Sequence, residues 1–246
     1  MITSLGITGF SGRMGQAIAE TILSHAEACL AGGIVRNHVP TPCIAAPEKD
    51  HLITNDPSHL FPKCDAVIDF SHASATAHFA TQAAAHGKPF FCGTTGLSEE
   101  TVGELRGISQ QVPVLYAANT SLSLIVTKKL AALAAQLLKG HDYDVSIFDK
   151  HHRWKKDAPS GTALTLGAAI TDATDDKTTP AYASIRAGSI VGIHEILFAG
   201  QGETIKIEHQ VTDRRVFARG AVEGALWLAK QPAGFYTMDD VLSVTP

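Results

Sequence analysis

A glycine-rich turn between a strand-like and a helix-like segment is the feature that most constrains the fold of this chain. Residues 2–8 are strand-like, Gly9, Gly12 and Gly15 follow, and a helical pattern then continues to about residue 25. In a dinucleotide-binding unit, the first such glycine makes a tight turn, the second admits a pyrophosphate to the helix N-terminus, and the third lets helix and strand pack closely. Glycines also mark ordinary turns, so the flanking strand and helix carry the argument.

Strand-like and helix-like segments keep alternating after this turn. Strands are predicted at residues 29–35, 52–54, 65–70, 89–92 and 112–116, and helices at residues 73–86 and 98–109, with loops over most of 37–64. This alternation predicts an α/β fold with a Rossmann-like, doubly wound parallel sheet, whose carboxyl-end loops gather over the ligand. The loops at 93–96 and 117–120 are therefore expected near a nicotinamide ring.

The pattern changes after a helix predicted for residues 121–138. Strands are predicted at residues 142–150, 183–186, 190–198 and 203–211, and in the last of them Ile205 and Ile207 alternate with polar residues, as in a sheet with one buried face. Successive strands without intervening helices predict a second, α+β domain with an open mixed sheet, which often covers its free face with another subunit. We expect a dinucleotide-binding domain at 1–120 plus 214–246, and a substrate-binding and oligomerisation domain at 121–213.

The segment at 151–162 combines histidines and cations with a predicted helix start. It contains, in order, His151, His152, Arg153, Lys155, Lys156, Ser160, Gly161 and Thr162. The unpaired N–H groups in the first turn of a helix attract an anion, and nearby cations add to that attraction. Histidine can gain or lose a proton near neutral pH. The segment therefore predicts a clamp for a carboxylate or phosphate with an acid/base group beside it.

Two other interpretations of this segment stay open. A serine before a helix can act only as a cap, and basic residues in a loop can form a solvated face. Paired histidines can also bind a metal ion. Adjacent side chains of an extended chain point to opposite sides, however, so His151 and His152 are poorly placed to chelate one ion. We predict no metal site.

The end of the second predicted strand bears on the choice of nicotinamide cofactor. NAD-preferring sites usually place an acid there, on the ribose hydroxyls, whereas this chain has Val35 followed by Arg36. An arginine attracts the 2′-phosphate of NADPH, and Arg13 can contribute. We therefore expect a preference for NADPH, with NADH use left open. The alternative is that Arg36 simply faces solvent.

The composition excludes several classes of protein. The 246 residues are 45% hydrophobic and 18% charged, which is typical of a globular protein with one large or two modest domains. A net charge of -4 argues against a nucleic-acid surface. The four cysteines are scattered, which fits a reducing cytoplasm. Residues 122–138, the most apolar predicted helix, contain two lysines, so we expect a cytoplasmic protein that does not enter a membrane.

Several motifs along nearly the whole chain are shared with one enzyme family. They are GFSGRMG at 9–15, CGTTG at 92–96, AAN at 117–119, HHRWKKDAPSGTA at 151–163, RAGSIVGIHE at 186–195, and the closing GAVEGALWLA and GFYTMDDVL. In these motifs the chain resembles the dihydrodipicolinate reductases, which are also called 4-hydroxy-tetrahydrodipicolinate reductases. The basic stretch that runs into DAPSGT is highly specific to that family, and the other motifs are weaker alone.

The resemblance implies the family's reaction, in which NAD(P)H reduces 4-hydroxy-tetrahydrodipicolinate, a cyclic dicarboxylate, to tetrahydrodipicolinate with loss of water, in lysine and diaminopimelate biosynthesis. By motif position, His151 corresponds to the acid/base histidine and Lys155 to the proton-donating lysine. The substrate-binding positions fall on His152, Ser160, Gly161 and Thr162. The cofactor-binding positions fall on Gly9, Phe10, Ser11, Gly12, Arg13, Met14, Arg36, Gly93, Thr94, Thr95, Ala117, Ala118, Asn119 and Thr120. The family also implies a homotetramer assembled through sheets of the second domain.

The chain departs from the family pattern in two places. Position 35 lacks the usual acid, and after Asn119 the chain continues as TSLSLI, where the family usually has a bulky residue, a serine and a glycine-containing turn of helix. Two rival functions follow from the residues: another two-domain NADP-dependent reductase of a small carboxylate, and a non-catalytic NADPH-binding sensor. The basic stretch argues against the first, and the presence of both His151 and Lys155 argues against the second.

Overall fold

The computed structural model describes residues 2–36, 52–175 and 177–243, and the chain divides into two compact units. Unit 1 comprises Met1–Thr120 and Arg215–Pro246, and unit 2 comprises Ser121–Arg214. The division expected from the sequence placed Arg214 with the first unit, whereas it groups with the second. Among the described residues, no helix is both long and apolar enough to cross a membrane.

Unit 1 contains one sheet with helices on both faces. Its strands are β1 (Thr3–Thr8), β2 (Ala28–Ile34), β3 (Leu52–Thr54), β4 (Ala66–Asp69), β5 (Phe90–Cys92), β6 (Pro113–Tyr116) and β11 (Gly234–Tyr236). Its helices are α1 (Arg13–Leu23), α2 (Pro57–Leu60), α3 (Ala73–Ala85), α4 (Glu99–Ile108), α7 (Arg215–Leu228) and α8 (Met238–Val241), with a 3-10 helix at Phe61–Lys63.

The strands of unit 1 form a parallel sheet in the order β11-β6-β5-β4-β1-β2-β3. The chain winds outward from β1 through β2 to β3, and then restarts on the other side of β1 with β4. Ligands of such sheets bind beyond the carboxyl ends of the strands at this point of reversal. The predicted doubly wound, Rossmann-like sheet is confirmed.

Side chains of successive strand residues explain the helices on both faces. In β5, Phe90 packs with Leu105 of α4 and with alanines of α3 in one buried cluster. The next residue, Phe91, points to the opposite face, where a β-carbon on Gly224 of α7 would collide with its ring. Because both faces are covered by helices, the central strands β4 and β5 are buried at every residue rather than at alternate ones.

The sequence analysis missed one strand of this sheet. Strand β11 has only three residues, pairs with β6, and lies between an irregular segment and the short helix α8. A strand this short carries too few residues for a pattern to show, and its partner lies more than a hundred residues earlier in the chain. The strand predicted at 52–54 is present as β3, whereas the loops predicted for 37–51 fall outside the described residues. The loop predicted for the rest of the segment to residue 64 is wrong where Pro57–Leu60 and Phe61–Lys63 form short helices.

Unit 2 is an α+β layer of two helices on a four-stranded sheet. Its elements are α5 (Leu122–Leu137), β7 (Asp144–His151), α6 (Gly161–Ala173), β8 (Ala181–Arg186), β9 (Gly192–Ala199) and β10 (Thr204–Val211). The strand order is β10-β9-β7-β8, with β7 and β8 parallel and the other pairs antiparallel. The predicted open mixed sheet is therefore confirmed.

One face of the unit 2 sheet carries the core, and it is made by alternating residues. Val145 and Ile147 of β7, together with Ile196 and Phe198 of β9, pack against Leu166 and other small or apolar residues of α5 and α6. The predicted alternation in β10 is confirmed only in part. Ile207 pairs with Ile196 and is partly buried against this core, whereas Ile205 is 42% exposed. The opposite face presents the intervening residues, and both helices of unit 2 pack on the core face.

Candidate active site

The turn after β1 requires glycine at the positions that the sequence indicated. Gly9 has a φ of 74°, and a β-carbon there would collide with the backbone oxygen of Phe70. A β-carbon on Gly15 would collide with the backbone of Gly9 and Phe10. Gly12 is the N-cap of α1, and no side chain caps that helix. The first turn of α1 therefore presents N–H groups without a side-chain acceptor, as an anion site requires.

Two clefts of about 760 and 600 Å³ lie at the carboxyl ends of the unit 1 strands. The larger is lined by Gly12, Arg13, Met14, Phe70, Ser71, His72, Ala73, Gly93, Thr94, Thr95, Gly96, Ala118, Asn119, Thr120 and Phe217. The smaller is lined by Gly9, Ser11, Gly12, Ile34, Val35, Arg36, Asn55, Phe70, Ser71, His72, Ala75, His78 and Phe79. Arginines but no carboxylates appear among these described lining residues, so the clefts suit an anionic ligand.

A buried carboxylate fixes the walls of the larger cleft. Asp69, at the end of β4, accepts hydrogen bonds from the hydroxyls of Thr8 at 2.5 Å, Thr94 at 2.8 Å and Thr76 at 2.9 Å. It also accepts from the Ser71 backbone N–H at 3.1 Å. The carboxylate thereby ties together the loops that follow β1, β4 and β5, and holds Thr94 in the cleft wall.

The clefts can be tested for their fit to a dinucleotide. The hydroxyl of Ser71, a residue that lines both clefts, is buried and has no hydrogen-bond partner among the described residues. An unsatisfied buried hydroxyl is costly, so it favours a polar ligand group beside it. Together with the uncapped start of α1, this hydroxyl fits a phosphate-bearing ligand.

In unit 2, strand register gathers polar residues into one row across the sheet. Asp149 of β7 pairs with Ser184 of β8 on one side and His194 of β9 on the other, and His194 pairs with His209 of β10. All four lie on the face that also carries the apolar core, and His151, two residues beyond Asp149, lies on that face too. His151, His194 and His209 are each less than a tenth exposed.

Asp149 is the centre of this polar row. Its carboxylate accepts from His151 Nδ1 at 2.6 Å, Ser184 Oγ at 2.7 Å and the Ser160 backbone N–H at 2.9 Å. Both terminal nitrogens of Arg186 donate to it as well, at 3.1 and 3.2 Å. Burial alone would raise the pKa of Asp149, but the hydrogen bonds from Arg186, Ser184, Ser160 and His151 together hold it below its ordinary value.

The three imidazoles of this face are shifted toward the neutral form. Burial lowers the pKa of His151, and the hydrogen bond and charge of Asp149 oppose that shift only in part. Burial, with the neighbouring charges of His151 and His209, lowers the pKa of His194 to about 4. Burial also lowers the pKa of His209. The ring centroids of His151 and His194 are 5.2 Å apart, and those of His194 and His209 are 6.1 Å apart.

The loop from β7 to α6 carries the remaining predicted residues of the basic stretch. Ser160 is the N-cap of α6, with its hydroxyl accepting from the Ala163 N–H at 3.2 Å and lying 3.3 Å from His194 Nε2. A β-carbon on Gly161 would meet no atom within 4 Å, so the helix start is open there. The Lys155 ammonium lies 2.8 Å from the Asp157 carboxylate.

Comparisons with known proteins match this architecture over its whole length. Residues 3–120 match the model of the dihydrodipicolinate reductase N-terminus, and residues 123–242 match that of its C-terminus. The chain belongs to the dihydrodipicolinate reductase family. This membership confirms the resemblance, the Rossmann-type fold and the oxidoreductase activity expected from the sequence, and it places the protein in lysine and diaminopimelate biosynthesis.

Relatives from several bacteria show the same family across both units. The chain is 40% identical to the 4-hydroxy-tetrahydrodipicolinate reductase of Zymomonas mobilis subsp. mobilis, over 98% of this chain and 97% of that protein. It is 41% identical to the enzyme of that name from Gluconobacter oxydans, over 97% and 96%. The dipicolinate-bound dihydrodipicolinate reductase of Paenisporosarcina sp. TG-14 superposes with a TM-score of 0.80 at 20% identity, covering 98% of this chain and 100% of that one.

Most residues that the dihydrodipicolinate reductase resemblance assigned to cofactor binding line the two clefts. Phe10 and Ala117 line neither: both are buried, and the Phe10 ring occupies the space that a β-carbon on Gly33 would need. The sequence analysis missed Phe70, Ser71 and His72, which line both clefts. Their position directly after β4 was an available signal, because ligands gather at the carboxyl ends of parallel strands.

The sequence analysis also missed the polar partners of the basic stretch. Asp149 precedes His151 by two residues in a strand, and this spacing was enough to place both on one face. His194, His209, Ser184 and Arg186 come from three other strands, so only the strand register brings them to His151. The adjacent His152 lies apart from this row, with its ring against Trp154.

The structure brings together a different set of possible metal ligands from the adjacent histidines considered in the sequence. Asp149, His151 and His194 can each offer a ligand atom, and these atoms lie within 4.8 Å of one another. The same carboxylate, however, already accepts from Arg186 and from His151. A cation there would have to displace a guanidinium, so the geometry gives no support to a metal centre.

Proposed function

We propose that the chain reduces 4-hydroxy-tetrahydrodipicolinate to tetrahydrodipicolinate with loss of water, through residues at the carboxyl end of β7 and the start of α6. The proposal is carried by one observation: a buried Asp149–His151 pair lies directly before the basic loop and open helix start of a dihydrodipicolinate reductase. A relative that is named as dipicolinate-bound supports a cyclic dicarboxylate ligand.

The start of α6 is proposed to bind the substrate carboxylates. The N–H groups there attract negative charge, and the absence of a side chain at Gly161 leaves room for a carboxylate to approach the backbone. Ser160, Thr162 and His152 are assigned to the same role, because the family resemblance places substrate-binding positions there. Ser160 is almost fully buried, so its contribution is to shape the helix start and not to offer an exposed hydroxyl.

His151 and Lys155 are proposed to supply the proton chemistry. The bound nicotinamide supplies a hydride, and hydride addition to a conjugated imine leaves electron density that must receive a proton. His151 is the acid/base group, because its Nδ1 is held by Asp149 while its other nitrogen has no hydrogen-bond partner among the described residues. Lys155 is the proton donor, held close to the helix start by its ion pair with Asp157.

The assignment of these two residues is tested by His151→Gln and Lys155→Ala. Each is expected to lower kcat by roughly 10²–10⁴-fold, the usual contribution of a general acid or base. The measurement is the loss of reduced-nicotinamide absorbance with freshly generated 4-hydroxy-tetrahydrodipicolinate. His141→Gln and Lys88→Ala, which lie outside the basic stretch, serve as matched controls. Near-normal turnover in either test variant would remove that residue from its role.

The clefts of unit 1 are proposed to bind NADPH in preference to NADH. Gly9–Met14 and the loops at 93–95 and 117–120 are assigned to the nucleotide, and Arg36 to the 2′-phosphate. Arg36 lines the smaller cleft, and no carboxylate appears among the described residues around it. Arg36→Ala is expected to raise the KM for NADPH about tenfold and to leave the KM for NADH within about twofold. An equal rise in KM for NADPH and NADH would contradict the role of Arg36 in binding the 2′-phosphate.

The open face of the unit 2 sheet is proposed to assemble a homotetramer. This face carries Ile185, which is 46% exposed, next to the ion pairs Lys150–Glu195 at 3.3 Å and Lys206–Glu195 at 3.0 Å. An exposed sheet face of mixed apolar and paired charged residues suits burial against a second copy. Sedimentation of the purified protein checks this proposal, and Ile185→Glu is expected to shift the tetramer toward smaller species.

A further inference from the structure

A single buried carboxylate, that of Asp149, is hydrogen-bonded both to His151 and to the start of α6. Asp149 is 1% exposed and accepts five hydrogen bonds, from groups on β7, on β8 and at the start of α6. Arg186, which donates two of these, also donates to the Asp157 backbone oxygen at 2.6 Å. The acid/base histidine, the helix start and the intervening loop are thus tied to one group.

The hydrogen bond to Asp149 selects one tautomer of His151. An ionised carboxylate can only accept, so the His151 Nδ1 at 2.6 Å must carry a hydrogen. In neutral His151, Nε2 is then the unprotonated nitrogen, and no described residue is hydrogen-bonded to it. A β-carbon on Gly192 would lie 3.2 Å from this Nε2, so the glycine in β9 leaves space beside it. Nε2 is therefore the atom available for proton exchange.

Charged or titratable groups face His151 from every element around it. Arg186 lies on β8, His194 on β9 and Lys155 in the loop, and His209 on β10 lies one position farther along the row. Burial and the cations favour neutral His151, whereas Asp149 favours its protonated form. Removal of the carboxylate charge would leave only the effects that oppose protonation.

We infer that Asp149 is a positioning residue, which fixes His151 with Nδ1–H toward the carboxylate and Nε2 toward the substrate, and whose negative charge stabilises the ring when Nε2 takes up a proton. This inference rests on the acid/base role proposed for His151. No contact of Asp149 with the substrate is involved. The Asp149–Ser160 bond couples the orientation of the ring to the start of α6.

Asp149→Asn tests the inference with little change in shape. The amide nitrogen would donate to His151 Nδ1 and move the ring proton to Nε2, while the amide oxygen can still accept from Ser160 and Arg186. We expect kcat to fall at least about 10²-fold with KM within about fivefold, and the protonation limb of the kcat profile to move to lower pH. Asp149→Glu, which keeps the charge, should restore the position of that limb.

Two controls separate positioning from stability and from the proposed function itself. Ser184→Ala removes one hydrogen bond to Asp149 but keeps the carboxylate, so it should leave the pH limb in place. The ¹⁵N shifts of the His151 ring in the wild-type protein, assigned by comparison with His151→Gln, report which nitrogen carries the hydrogen. A neutral wild-type ring with its hydrogen on Nε2 and none on Nδ1 would overturn the inference even if Asp149→Asn failed to fold. The inference would also be overturned if the protonation limb of the kcat profile did not move in Asp149→Asn while His151→Gln was inactive. Full activity of His151→Gln would instead reject the proposed acid/base role.

Discussion

The proposed sites of the two units are built from different chemical groups. In unit 1 the clefts are shaped by backbone and by the absence of side chains, as at Gly9 and Gly12, and the buried Asp69 holds their walls in place. In unit 2 the site is a row of buried ionisable side chains centred on Asp149, with three imidazoles shifted toward the neutral form. We therefore expect the unit 1 site to be sensitive to larger side chains, and the unit 2 site to be sensitive to pH.

The largest effect is expected from adding one methyl group to unit 1. Gly9→Ala forces a side chain into a backbone with a φ of 74° and against the Phe70 oxygen. The free energy of unfolding should fall by roughly 4 kcal/mol, from backbone strain and overpacking together. The Kd for NADPH, measured by fluorescence titration, should rise at least about tenfold.

The Gly9 comparison has a built-in control in α4. A β-carbon on Gly103 would meet no atom within 4 Å, so Gly103→Ala should leave NADPH binding unchanged and stability equal or higher. The loss in Gly9→Ala should be the same at pH 5 and pH 7. If the loss of NADPH affinity or stability in Gly9→Ala depended on pH, steric fit alone would not explain the sensitivity of this site.

An intermediate effect is expected from His194, and it should depend on pH. The pKa of His194 is lowered to about 4, so the unfolded chain binds the extra proton between about pH 6.5 and 4 and stability falls with acidification in that window. The full shift corresponds to ~3 kcal/mol. His194→Gln keeps a donor near Ser160 but cannot titrate, so the fall in stability across this window should be smaller.

The His194 effect is measured by urea unfolding of the intact protein at several pH values. His141→Gln, which replaces an exposed histidine of the same unit, is the matched control. Parallel stability curves for the wild type and His194→Gln from pH 7 to 4.5 would show that buried imidazoles do not make unit 2 sensitive to acid.

The smallest effect is expected at Ser123, the second residue of α5. Its hydroxyl is 3.0 Å from His209 Nε2. Ser123→Ala should lower the free energy of unfolding by about 1 kcal/mol, or the melting temperature by roughly 2–4 °C. A double-mutant cycle with His209→Gln measures the coupling. A coupling free energy of zero would show that the Ser123–His209 contact does not stabilise the polar row.

Sequence reasoning predicted the elements that depend on local pattern. The alternation of strands and helices predicted the parallel sheet, and the run of strands without intervening helices predicted the second, mixed sheet. The buried face expected around Ile205 and Ile207 is confirmed for Ile207 only in part, and Ile205 is exposed. The domain functions, the cofactor preference, the tetramer and a cytoplasmic location stay predictions. The short strand β11 was missed because three residues carry no period, and its pairing with β6 is a long-range contact.

The sequence by itself determined the family, most of the order of the elements and the segments that we propose to carry chemistry, because glycine spacing and motif identity are properties of neighbouring residues. Tertiary structure alone decided which side chains meet His151. Asp149, His194 and His209 lie on three strands, and their row exists only in one register, since a slip of one residue would turn each strand's side chains to the other face. Burial in that register, and not residue type, lowers the pKa values of the three histidines.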